Sequence, residues 1–118
     1  MVSKDTIVAT KVGKKTLANI GSNITIFSES ALVMNCNVTG VPPPTVTWFK
    51  NSKILGNSSK VRIDKKSNFL EISRADEDDE GSYTCIASNV IGSETASSKV
   101  NIIGKPFSIL YSLTYQFP

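Results

Sequence analysis

No histidine occurs among the 118 residues. Its absence removes the commonest general base and the commonest metal ligand at neutral pH. No Gly-rich phosphate loop follows a strand-like run, and none of the many serines has a recognisable activating partner. Long apolar runs are lacking too: nothing approaches the roughly 18 to 20 uninterrupted apolar residues of a membrane span. Charge is modest, 19% of the chain with a net +3 and a pI near 8.9. Acidic and basic residues are interspersed, which falls short of a nucleic-acid footprint. Catalysis, cofactor binding, nucleic-acid binding and membrane insertion therefore have no support in this segment. The Met1-Val2-Ser3-Lys4 start lacks the apolar core of a signal peptide, so a secreted protein would appear here as a mature fragment with an added methionine.

What is present is a set of short alternating runs separated by Gly, Pro, Asn and Ser, an all-β signature. Ala31 to Val38 alternates with Leu32, Met34, Cys36 and Val38 on one face and Val33, Asn35 and Asn37 on the other. Gly40-Val41-Pro42-Pro43-Pro44 ends that run, because three prolines supply no amide donor and fix φ. Thr45 to Lys50 resumes with Val46 and Trp48 inward. Short strands are expected near Ile54 and Leu55, at Val61 to Ile63 and at Phe69 to Ser73, the last with Leu70 and Ile72 inward. Ala75 to Glu80 reads as a polar corner. Ser82 to Ser88 and Glu94 to Ile103 then form a hairpin around Asn89 to Ser93. Thr6 to Val12 and Thr16 to Ile20 read as two halves of one edge strand, and Asn23 falls in the turn before the strand at 31.

Cys36, Gly40, Pro42, Pro44, Trp48, Leu70, Ile72, Ala75, Asp79, Gly81, Tyr83, Cys85, Ala87, Asn89 and Gly92 together resemble the immunoglobulin superfamily, in its I-set. The resemblance implies a two-sheet antiparallel Greek-key β-sandwich over residues 7–103, with an N-terminal extension at 1–6 and a C-terminal extension or linker at 104–118. It implies a disulfide between Cys36 and Cys85, closing a loop of about 50 residues and worth about 4 kcal/mol in the chain-entropy model. It further implies Trp48 packed on that bridge, the Tyr83 hydroxyl bonded back to backbone near Asp79, Gly81 permitting the tight corner, and a salt bridge between Asp79 and Arg62. These residues are structural rather than catalytic.

Three Asn-x-Ser/Thr sequons begin at Asn23, Asn37 and Asn57 and favour an oxidising, secretory setting, as does an even cysteine pair. Asn37 follows inward Cys36 and must point outward. None of the three is expected on the strands at 45–50, 82–88 or 94–103, so the outer face of those strands, with Thr47, Phe49, Thr84, Ile86 and Lys99, is the expected binding face for a protein partner, homophilic or heterophilic. Lys11, Lys14, Lys15, Lys60, Lys65 and Lys66 are weighed as a stripe for sulfated polysaccharide. Glu77-Asp78-Asp79-Glu80 reads as a solvated corner rather than a calcium loop. Two functions stay open: an extracellular adhesion, receptor or matrix module, and an intracellular structural domain of a muscle or cytoskeletal protein acting as a mechanical spacer. The apolar stretch from Pro106 to Pro118 reads equally as the start of a neighbouring domain, a docking segment or sequence from elsewhere.

Overall fold

The structure, a computed structural model, describes residues 6–8 and 12–104. Among the described residues ten strands run in the order β1 (Thr6–Val8), β2 (Lys15–Asn19), β3 (Asn23–Phe27), β4 (Ala31–Asn35), β5 (Thr45–Lys50), β6 (Lys53–Ile54), β7 (Val61–Asp64), β8 (Phe69–Ile72), β9 (Gly81–Ser88) and β10 (Ser93–Ile103), with one 3-10 turn at Glu77–Asp79. They form a six-stranded sheet ordered β1-β3-β10-β9-β5-β6 and a four-stranded sheet ordered β2-β4-β8-β7. The two sheets make the expected sandwich. Ile24, Ile26, Leu32, Met34, Trp48, Leu70, Ile72, Tyr83 and Val100 alternate inward and are almost wholly buried between them. At about 25 cal/mol per Å² of apolar surface removed from water, this layer is the main stabilising term.

Pairing is antiparallel between β4 and β8, β7 and β8, β5 and β6, β5 and β9, and β9 and β10. β1 with β3, β3 with β10, and β2 with β4 are parallel. These parallel pairs correct the expectation of a single broken edge strand at the N-terminal side. The chain reverses at Gly13, where φ is +80, and crosses between sheets at Ile20-Gly21-Ser22, where Gly21 has φ +117. Both conformations favour glycine. The strand at β3 was not foreseen, although Ile24 and Ile26 alternate with Asn23, Thr25 and Phe27 and are fully buried. Asn23 consequently opens a strand of the six-stranded sheet instead of lying in a turn.

Cys36 and Cys85 form a disulfide across the sandwich. Trp48 stands directly opposite Cys85 in the β5–β9 ladder and is 1% exposed. The Tyr83 hydroxyl donates to the Asp79 carbonyl at 2.7 Å. Burial, with the Asp79 charge second, raises the Tyr83 pKa well above its ordinary value, so the hydroxyl remains a donor. Val33, assigned outward, is nonetheless 7% exposed, because it lies in one row between Leu17 and Glu71 of the flanking strands.

Candidate functional site

The outer face of the six-stranded sheet is built by period-two alternation around buried Trp48 and Cys85. On β5, Thr47 and Phe49 flank Trp48; on β9, Thr84 and Ile86 flank Cys85. Register places Thr47, Ile86 and Thr95 in one row, Phe49, Thr84 and Ser97 in the next, and Lys99 opposite Ser82. The five residues named from sequence thus share one face. Thr84 Oγ1 and Ser97 Oγ lie 2.8 Å apart across the β9–β10 ladder. Ile54 adds an apolar side chain beside Phe49 and is 71% exposed. Phe49 and Ile86 themselves are half-buried by their neighbours.

A glycan at Asn23 would change that face. Asn23 neighbours inward Ile24, so its exposed side chain lies on the outer side of the same sheet, with β10 between it and β9. None of the three sequons lies on β5, β9 or β10, as expected, but β3 joins their sheet, so a glycan at Asn23 would limit the uncovered area to the β9-β5-β6 half. Asn37 and Asn57 are exposed on connecting segments. Asn37 Nδ2 donates to Asn19 Oδ1 at 2.9 Å, and Asn57 Oδ1 accepts from the Ile63 amide at 2.7 Å.

The expected Arg62–Asp79 pair does not form. Val61 and Ile63 turn inward, so Arg62 faces outward on β7, where its guanidinium meets Glu71 at 2.9 Å and lies 4.9 Å from the Phe69 ring. Asp79 is met instead by Lys60 at 2.7 Å, which also reaches Asp76 at 2.6 Å. Burial works against the Lys60 charge, yet its bonds to Asp76 and Asp79 outweigh this and raise its pKa. Glu71 is bonded by Lys15 and by Arg62, which lower its pKa in that order of strength. Asp76 also caps the 3-10 turn at Glu77–Asp79 by accepting from the Asp78 amide, while the Asp79 carboxylate accepts from the Asp76 amide.

The lysine stripe is likewise dispersed. Lys15 and Lys60 are engaged by carboxylates. β2 and β7 are opposite edges of their sheet and run the same way, so Lys65 and Lys66 after β7 sit at the far end from Lys14 and Lys15. Lys11 lies outside the described residues, as do the apolar stretch from Pro106 and most of both proposed extensions.

Sequence reasoning missed the most exposed apolar cluster. Val41, Val90 and Ile91 are 91%, 87% and 80% exposed at one tip of the sandwich. The two loops are tied by Asn89, whose Nδ2 donates to the Pro42 carbonyl at 2.9 Å while its Oδ1 accepts from the Ile91 and Gly92 amides. The readable signal was two adjacent β-branched residues, Val90-Ile91, inside a turn.

The sequence profile described as "Immunoglobulin I-set domain" matches residues 15–102. Vascular endothelial growth factor receptor 2 of Coturnix japonica is 36% identical over 88 residues, covering 75% of this chain and 6% of the receptor. Palladin of Mus musculus is 45% identical over 82 residues, covering 67% of this chain and 6% of palladin. The solved neural ectodermal development factor superposes with a TM-score of 0.66 at 28% identity, covering 70% of this chain and 40% of that one. The chain spans about one sixteenth of the two curated relatives, a single module's share of each.

Proposed function

We propose, from the premise that this chain belongs to the immunoglobulin I-set family, that it is a non-catalytic protein-recognition module working outside the cell. I-set domains occur both in receptors and in intracellular muscle proteins, and the relatives span both settings. The observation that carries the extracellular reading is the Cys36–Cys85 disulfide, supported by three sequon asparagines that are all exposed. The 45% identity to palladin favours the second reading, an intracellular mechanical spacer with reduced thiols. Contact with a protein partner uses the outer face of β9, β5 and β6, where Phe49, Ile86 and Ile54 supply the apolar anchor.

A multimerised form of the protein, applied to panels of cultured cells, tests this. Surface staining should be lost in a Phe49→Glu, Ile86→Lys variant that keeps the wild-type circular dichroism and melting temperature, and should persist in a Lys14→Glu, Lys65→Glu variant. Staining that survives the face substitutions moves the site to the Val41, Val90 and Ile91 tip or to a strand edge.

A further inference from the structure

β10 is eleven residues long but is only partly flanked on the side away from β9. β3 pairs with Val100 to Ile103 alone, because the chain crosses between sheets at Gly21 and β3 begins at Asn23. Above that level the edge of Ser93 to Lys99 has no strand beside it among the described residues. Beside this edge a cleft of about 700 Å³ opens between the sheets, lined in near-equal parts by apolar groups, among them Ile7, Ile20 and Val38 with the disulfide, and by polar ones, among them Asn19, Asn35 and Asn37. A row of backbone amides and carbonyls above a cleft that is apolar in part matches an extended chain that turns alternate apolar side chains toward it.

The sequence carries such a segment. From 107 to 117 every odd position is large and apolar or aromatic: Phe107, Ile109, Tyr111, Leu113, Tyr115 and Phe117. The even positions are Ser108, Leu110, Ser112, Thr114 and Gln116, so all but one are polar. Period two with β-branched and aromatic residues, and no charge or proline inside, is strand patterning, and its apolar side needs a surface to cover. Gly104-Lys105-Pro106 precedes it as a reversal signal.

We propose that residues 107–117 dock as an added strand on the Ser93 to Lys99 edge of the same chain, turning alternate apolar side chains into the cleft. Reach permits this. Past the reversal at 104–106, residues 107–117 extend ~36 Å at ~3.3 Å per residue, against ~33 Å from Ile103 back to Ser93 at the far end of the edge.

Hydrogen–deuterium exchange on the full chain tests the docking. Amides of residues 94–98 that face away from β9 should exchange at least tenfold faster in a Tyr111→Asp, Leu113→Asp variant than in wild type. A synthetic peptide of residues 105–118 added to the variant should restore protection, but not in a chain that also carries Ala96→Trp to fill the cleft. Both proteins should sediment as monomers. Equal exchange in wild type and variant would overturn the proposal. So would protection that disappears on dilution together with a dimer, which would make a second copy the occupant.

Discussion

Asp79 shows how one residue is fixed from several directions. Its carboxylate accepts from Lys60 Nζ at 2.7 Å and from the Asp76 amide at 2.9 Å, and its carbonyl accepts from Tyr83 at 2.7 Å. Tyr83→Phe leaves that carbonyl without its buried donor and should lower unfolding stability by about 1–3 kcal/mol in urea titrations. Lys60→Met should cost more than Arg62→Met, because the Lys60 and Asp79 side chains are 30% and 9% exposed against 61% and 16% for Arg62 and Glu71, so water screens the second pair more. Equal losses would contradict the reassignment of the pair. Acid sensitivity follows from Glu71. Its folded pKa lies below the ordinary glutamate value, so between the two the unfolded chain binds more protons and stability rises with pH. The contribution is complete above that ordinary value and is lost as pH falls through the folded one. Glu71→Gln should flatten the fall in melting temperature on acidification below about pH 5.

At the scale of elements, the strands with strict alternation around a fixed landmark were legible. β5, β7, β8, β9 and β10 fall within a residue or so of the sequence reading, since Trp48, Leu70, Cys85 and Val100 mark the inward parity. The N-terminal strands were not, because Thr6 to Phe27 contains several equally alternating pieces and nothing local says which sheet each joins. That choice is made by the Gly13 and Gly21 reversals and by burial of Ile24 and Ile26. The Arg62 pairing failed for a related reason: strand parity points Arg62 outward, whereas Lys60 precedes β7 and is free of that parity. That Thr47, Phe49, Thr84, Ile86 and Lys99 share one outer face was legible from strand parity, while the position of Asn23 depended on β3. Gly81, at φ +152, connects the 3-10 corner to β9, and a Cβ there would meet Asn51 Oδ1 at 2.8 Å. Asn51 Oδ1 accepts from the Ser82 amide at 2.9 Å, so the clash falls on a bonded group. Gly81→Ala should therefore destabilise by about 1–3 kcal/mol, and a neutral result in thermal unfolding would show that Asn51 moves aside freely.

For the whole molecule, the disulfide ties sheet to sheet across 49 positions, so its loss acts on the entire unfolded chain. A Cys36→Ala, Cys85→Ala variant should unfold in one cooperative step with stability lower by about 4 kcal/mol in the chain-entropy model. The compartment reading rests on the same bond. The most direct measurement is the intact mass of the protein purified from the medium of a secreting eukaryotic cell, taken with thiol alkylation before reduction and with enzymatic deglycosylation. No alkylated cysteine is expected, with a deglycosylation shift mapping to one or more of Asn23, Asn37 and Asn57. Two alkylated thiols together with three unmodified asparagines would contradict it and return the domain to an intracellular mechanical role.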